Sequence, residues 1–176
     1  QVFLHGIEVW QKLDAVTEWL LRRVDVFVCN SQHTWDRFCS FNPAWAGKRH
    51  VVVPLGTGVP LTDAPAPDST PAVLMLARLD KREDYKGHRE VLAAWPEVLA
   101  SEPRAKLWIV GDGDLRDELE AIARQTAIAK SVTFFGKVTI EERDRLLMSC
   151  RCLAMPSRGE GFGLVYLEAM RVGQSA

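Results

Sequence analysis

The residues best suited to chemistry lie in the stretch SRGEGFGLVYLEAM (157–170), which combines a cluster of glycines with Glu160 and Glu168. Glycines leave backbone N–H groups exposed, and such groups bind anions where a helix begins beside them. Carboxylates accept hydrogen bonds from sugar hydroxyls. The stretch by itself is also compatible with a plain loop and a solvated helix, so the rest of the sequence must decide.

A second loop carries cations at both of its ends. Arg78 directly follows an apolar run, and Lys86-Gly87 precedes a helical pattern. A guanidinium fork, an ammonium group and a helix N-terminus together suit a diphosphate. Charged residues are also common in surface loops, and this loop alone favours a solvated surface.

Two further loops contain turn glycines. Gly111 lies in VGDGD, which is not a dinucleotide-binding G-x-G-x-x-G motif. Gly136 lies in FFGKV, where the backbone beside Lys137 and Val138 could approach a flat nucleobase. Each glycine taken alone indicates only a tight turn.

Strand-like and helical patterns alternate around these loops. Strands are predicted at 25–29, 51–53, 72–77, 105–110, 131–135 and 150–155, and helices at 87–100, 115–127, 139–149 and 164–172. The alternation predicts βαβ units with a parallel sheet covered by helices on both faces. Ligands bind at the carboxyl ends of the strands in such sheets, and all four loops are expected there.

The composition is that of a soluble globular protein. The net charge is −1 without a block of like charges, which argues against nucleic-acid binding through a basic face. No secretory signal is recognised, and no apolar run approaches the roughly 20 residues that span a bilayer. The four cysteines have no zinc-site spacing and are predicted to be buried, reduced thiols, as in a cytosolic chain.

In order and spacing, these motifs resemble those of the retaining GT-B glycosyltransferases of family 4. The resemblance covers about 72–173, through Arg78, Lys86-Gly87, IVGDG, VTFFGKV and PSRGEGFGLVYLEAMRVG. The segments HGIEVW, VDVFVCNSQHTWDRF and VVVPLGTGVP of the first 60 residues also resemble family segments, with a departure at Leu55. Each motif is modest, but the ordered set is specific.

The resemblance implies an α/β fold of the GT-B type, with Rossmann-like, doubly wound parallel sheets. Residues 1–61 would be the last part of an N-terminal, acceptor-side domain, and 62–71, which are rich in proline, a linker. Residues 72–176 would be an incomplete C-terminal domain that binds a nucleotide sugar. We expect a chain truncated at both ends, and no transferase activity from these residues alone.

The resemblance also implies roles for individual residues. His5, Glu160, Arg78 and Lys86 would be catalytic: the two cations would neutralise the departing diphosphate, Glu160 would face the donor sugar and His5 would lie near it. Glu168 would accept hydrogen bonds from the ribose hydroxyls. The remaining donor-binding residues would be Gly111, Gly136, Lys137, Val138, Gly161, Phe162, Gly163 and Leu164, of which the last three would offer backbone N–H groups from a helix beginning near Phe162.

The implied reaction is sugar transfer from a nucleoside-diphosphate sugar to an acceptor hydroxyl with retention, in polysaccharide, lipopolysaccharide or glycolipid synthesis. No cofactor and no metal are expected. The acceptor would be a sugar, a lipid-linked sugar or another hydroxyl compound, and the location cytoplasmic or peripheral to the inner face of the membrane. A nucleotide-sugar epimerase of the same fold and a non-catalytic nucleotide-binding relative remain alternatives.

Overall fold

The computed structural model describes residues 1–58 and 71–176, which form two compact units. The first unit comprises Gln1–Gly56 together with Gly159–Leu164, and the second comprises Thr57–Arg158 together with Val165–Ala176. Nearly all of the predicted linker lies outside the described residues. No helix of the described ranges is long and apolar enough to cross a membrane.

The first unit contains a three-stranded parallel sheet in the order β1-β2-β3. Its elements are β1 (Val2–Leu4), α1 (Ala15–Leu21), β2 (Phe27–Cys29), α2 (Gln32–Phe41) and β3 (His50–Val52), with 3-10 turns at Ile7–Val9 and Pro43–Trp45. Aromatic packing forms its core, because Phe27 contacts Trp35, Phe38 and Trp45 with ring centroids 5.5–5.9 Å apart. The two strands predicted in this part are confirmed, each shortened or shifted by one or two residues.

The second unit contains a four-stranded parallel sheet. Its strands are β4 (Ala72–Leu76), β5 (Lys106–Val110), β6 (Val132–Gly136) and β7 (Cys152–Leu153). Its helices are α3 (His88–Ser101), α4 (Arg116–Gln125), α5 (Ile140–Ser149) and α6 (Leu164–Arg171), with 3-10 segments at Lys81–Lys86 and Ala129–Ser131. The first residue of α6, Leu164, is grouped with the first unit.

The strand order β6-β5-β4-β7 reverses the direction in which the sheet grows. From β4 the chain adds β5 and β6 on one side and then returns to place β7 on the other. In doubly wound sheets such a reversal opens a crevice outside the carboxyl ends of the strands, where ligands bind. The topology therefore indicates which edge of this sheet should carry a site.

The helices of the second unit bury apolar side chains against the sheet. Leu92 and Trp95 of α3 are buried against the sheet, and the Trp95 indole donates a hydrogen bond of 3.0 Å to the Ser131 hydroxyl. Val98, near the end of α3, is exposed. Helix α5 is capped at its start, since the Thr139 hydroxyl accepts a hydrogen bond of 3.2 Å from the Glu142 N–H.

Two predicted element bounds need correction. Strand β7 spans two residues instead of 150–155, because its pairing with β4 is limited to Val73 and Leu74. Helix α6 begins at Leu164, as the predicted range 164–172 has it, and not near Phe162, where the assignment of the backbone N–H groups had placed its start. All four cysteines are free thiols, as predicted, but only Cys29 and Cys150 are fully buried.

His88, the first residue of α3, is completely buried, and neither ring nitrogen finds a hydrogen-bond partner among the described residues. Desolvation lowers its pKa from 6.5 to about 4. Folding therefore disfavours the protonated ring. The stability present above pH 6.5 is lost as the pH falls towards 4. In this range the histidine binds a proton in the unfolded chain but not in the folded chain.

We predict that His88→Leu removes this part of the pH dependence. The shift in pKa corresponds to about 3 kcal/mol, and the measurement is urea unfolding at pH 7 and at pH 4.5. His33→Gln, which replaces an exposed histidine, should keep the wild-type loss of stability. An unchanged pH dependence in His88→Leu would contradict the assignment.

Candidate active site

The loops that follow β4, β5 and β6 are joined by backbone hydrogen bonds beyond the ends of the strands. The Ala77 N–H donates to the Val110 carbonyl at 3.1 Å, and the Leu79 N–H donates to the Asp112 carbonyl at 3.0 Å. The Gly111 N–H donates to the Gly136 carbonyl at 2.9 Å. These bonds give the three loops a fixed common floor.

Gly111 makes this floor possible. Its φ of +135° is strained for any residue with a side chain, and a Cβ here would overlap the Ala77 carbonyl oxygen. The sequence predicted a tight turn at this glycine. The structure adds a second reason for it, because the loop after β5 lies directly against the loop after β4.

A pocket of about 430 Å³ opens above this floor, at the carboxyl ends of β4, β5 and β6 and beside α5 and α6. It brings together six of the predicted site residues: Arg78, Gly111, Gly136, Lys137, Val138 and Glu168. Asp112, Arg143 and Val165 also line it and were not predicted. The pocket thus combines exposed backbone with cations and carboxylates.

Arg78 lies at the open side of the pocket, where its side chain is largely exposed. Its guanidinium forms an ion pair with Glu83, which lies in the 3-10 segment that follows. The neighbouring Leu79 is fully buried and anchors the loop. Sequence reasoning did not identify Glu83 as a partner, because nothing in the pattern fixes the path of this loop.

Lys86 does not line the pocket, although the sequence grouped it with Arg78. It ends the 3-10 segment, with its ammonium nitrogen 5.4 Å from the centre of the Tyr85 ring. The next residue, Gly87, lies so close to Pro156 that a Cβ on it would be 2.8 Å from the Pro156 carbonyl oxygen. Lys86 is therefore held beside the loop that follows β7.

Glu168 lies on α6 and forms an ion pair with Arg143 of α5, with Nη1 and Oε1 3.1 Å apart. The same guanidinium contacts the carboxylate of Asp144 at 2.8 Å. Arg143 was missed because a single arginine in the first turns of a helix is usually a solvated residue. Its position seven residues after Gly136, at the rim of a strand-end loop, is the signal that could have identified it.

The remaining predicted residues belong to the first unit, where His5 and Gly161 lie together. A Cβ on Gly6 would overlap the Gly161 Cα, and Gly6 has a φ of +146°. The side-chain amide of Asn30 donates to the His5 carbonyl and, at 3.5 Å, to the Gly161 carbonyl. Thr34 in turn donates to the Asn30 amide oxygen at 2.7 Å.

Buried Asn30 is thus the residue that fixes the His5 loop against the glycine-rich segment, and the sequence did not single it out. The His5 side chain itself is exposed. The other predicted residues of this segment, Glu160, Phe162, Gly163 and Leu164, are partly or fully exposed and precede or begin α6. Their roles, and that of His5, stay predictions.

Residues 70–175 match the family model described as Glycosyl transferases group 1. A GDP-mannose-dependent monoacylated alpha-(1-6)-phosphatidylinositol monomannoside mannosyltransferase of Corynebacterium glutamicum is 31% identical, over 96% of this chain and 49% of the relative. A GDP-mannose-dependent alpha-(1-6)-phosphatidylinositol monomannoside mannosyltransferase of Mycolicibacterium smegmatis is 33% identical over the same shares. The chain spans about half the length of these curated relatives.

Among solved structures, the pneumococcal O-GlcNAc transferase GtfA in complex with UDP and GlcNAc is similar, with a TM-score of 0.76. It is 19% identical, and the match covers 91% of this chain and 31% of that chain. The likeness confirms the predicted α/β fold of the GT-B type.

We predict that Gly111→Ala disrupts the floor of the pocket. The added methyl group would force the loops after β4 and β5 apart, and we expect a loss of more than about 2 kcal/mol of stability, measured by thermal unfolding. Gly47→Ala is the matched control, since a Cβ there meets nothing within 4 Å. Equal effects of the two substitutions would contradict the proposed contact.

Proposed function

Because the chain belongs to the family of group 1 glycosyl transferases, we propose that the protein moves a sugar from a nucleoside-diphosphate sugar to an acceptor hydroxyl with retention of configuration. The observation that carries the proposal is the strand-end pocket, which unites the Arg78 guanidinium and the Glu168 carboxylate above an exposed glycine backbone. A nucleotide needs these three kinds of group for its diphosphate, its ribose and its base.

In this proposal each part of the donor nucleotide has its own partners. The base lies along Gly136, Lys137 and Val138, where the backbone of a strand-end loop is accessible. The ribose hydroxyls donate to Glu168, because an ionised carboxylate offers several acceptor positions. The diphosphate lies towards Arg78, whose guanidinium can bind phosphate oxygens bidentately.

Lys86, held beside the loop after β7, is the proposed second cation for the diphosphate. Negative charge builds on the departing nucleoside diphosphate as the sugar becomes oxocarbenium-like. Fixed cations aimed at that charge stabilise the transition state more than the ground state. In our proposal Arg78 and Lys86 stabilise this charge without a metal ion.

For the glycine-rich segment and the His5 loop, both in the first unit, we propose contacts with the donor sugar on the strength of the family resemblance. Glu160 faces the donor sugar, and the backbone N–H groups of Phe162, Gly163 and Leu164 hold a phosphate or sugar hydroxyls. Supporting this assignment, Asn30 holds the His5 and Gly161 carbonyls together in one unit. We assign no covalent nucleophile, since the leaving phosphate can itself accept the proton of the acceptor hydroxyl.

The relatives suggest which donor and acceptor to test first. Two mannosyltransferases that depend on GDP-mannose and act on phosphatidylinositol mannosides are 31% and 33% identical to the chain. We therefore propose GDP-mannose as donor and a glycolipid as acceptor. Such an acceptor would place the protein at a membrane surface.

The proposal predicts that a nucleoside diphosphate stabilises the full-length protein. A ligand that binds only the native state must raise the unfolding temperature, and we expect the largest shift with GDP and GDP-mannose among the GDP, UDP and ADP series. Product analysis with a glycolipid acceptor should then show free GDP and a mannosylated lipid. An epimerised donor, or no shift with any nucleotide, would contradict the proposal.

Replacing Glu168 and replacing Glu160 should impair different properties of the enzyme, nucleotide affinity in the first case and turnover in the second. We predict that Glu168→Ala weakens GDP binding about tenfold or more, because a hydrogen bond to a charged group is lost, whereas Glu160→Ala lowers kcat and leaves GDP affinity nearly unchanged. Calorimetry and steady-state kinetics measure the two effects. Glu97→Ala, on the exposed side of α3, should change neither, and equal losses of GDP affinity at both sites would disprove the division of roles.

A further inference from the structure

Resting on the proposed donor site, we infer that Arg143 is a positioning residue that orients the Glu168 carboxylate for the ribose hydroxyls. Arg143 and Glu168 come from different helices, α5 and α6, and both line the pocket. Their ion pair of 3.1 Å is only about one quarter exposed, with side-chain exposures of 28% and 25%. At that degree of exposure, solvent screens the pair less than it screens a surface salt bridge.

The guanidinium is held from its other side as well. Its Nη2 and Nε atoms donate to one oxygen of Asp144, at 2.8 and 3.1 Å, while Nη1 donates to Glu168. A planar guanidinium that is bound on two edges has little freedom to turn. Arg143 therefore holds its donor group in a fixed position, and the hydrogen bond from this group fixes the orientation of the Glu168 carboxylate.

The contact with Glu168 uses one carboxylate oxygen, Oε1. An ionised carboxylate has about four acceptor positions on its two oxygens, so Oε2 can still accept from the neighbouring 2′- and 3′-hydroxyls of a ribose. Two hydroxyls on adjacent carbons need a carboxylate at a defined angle. The ion pair supplies that angle before the nucleotide arrives.

Arg143 also sets the charge of the pocket. The lining contains three cationic side chains, Arg78, Lys137 and Arg143, and two carboxylates, Asp112 and Glu168. Without the guanidinium of Arg143 this excess of positive charge disappears, since the lining then holds two cations and two carboxylates.

The inference differs from a purely structural role in a way that can be measured. If Arg143 only connected α5 to α6, its replacement would weaken the binding of all nucleotides to the same extent. A residue that orients Glu168 would change the preference for ribose over deoxyribose. The decisive quantity is therefore the ratio of the Kd values for a deoxynucleotide and its ribonucleotide.

The test uses the full-length protein with GDP, 2′-deoxy-GDP and 3′-deoxy-GDP, or the analogues of UDP or ADP if one of these binds better. We expect the wild type to prefer the ribonucleotide by about tenfold or more, the effect of a hydrogen bond to a charged group. In Arg143→Gln this ratio should fall below about threefold, and Arg143→Lys should restore part of it. Thermal unfolding without nucleotide checks that each variant is folded.

Arg145→Gln is the matched control, since Arg145 lies on the same helix but is largely exposed and pairs with Glu142. It should keep the wild-type ratio. An unchanged ratio in Arg143→Gln would overturn the inference while leaving the donor site intact. A wild type that does not discriminate against the deoxynucleotides would overturn both the inference and the assignment of the ribose to Glu168. If Arg143→Gln does not fold, an unchanged ratio in Arg143→Lys together with unchanged GDP affinity overturns it. Failure of the wild type to bind any of the three nucleotides would instead refute the proposed function itself.

Discussion

The close approach of two loop backbones at Gly111 is the constraint on which the candidate site depends. Backbone hydrogen bonds continue from the sheet into the loops after β4, β5 and β6, and only a glycine fits where the first two meet. A floor made of backbone is rigid and leaves its other face open to a ligand. Arg78 at one end and Gly136 at the other take their positions from it.

Strand order explains why the site lies at this edge. The strands are parallel, so their carboxyl ends meet at one edge of the sheet, and in doubly wound sheets this edge is where ligands bind. Two helices, α5 and α6, complete the pocket from the side and contribute Arg143 and Glu168. Arg143 and Glu168 lie on helices, and side chains on helices are positioned more precisely than side chains on loops.

Local patterns in the sequence predicted the strands and helices of the second unit and two strands of the first, but they missed β1, α1 and α2. Six residues of the pocket were also predicted, because strand-end loops of a parallel sheet must meet at one edge. Local patterns did not predict partners that depend on how separate elements pack. Arg143 meets Glu168 only because α5 and α6 are adjacent, and Asn30 meets Gly161 across 131 positions of the chain. Lys86 was grouped with Arg78 as the second cation of one loop, but the path of the 3-10 segment places it outside the pocket lining.

The central claim is that the pocket of the second unit holds the nucleotide of a sugar donor. A crystal structure of the full-length protein with GDP-mannose tests this most directly. The account predicts the base beside Gly136 and Val138, the ribose hydroxyls on Glu168 and the diphosphate towards Arg78. A nucleotide bound elsewhere, or bound here with its ribose away from Glu168, would contradict it.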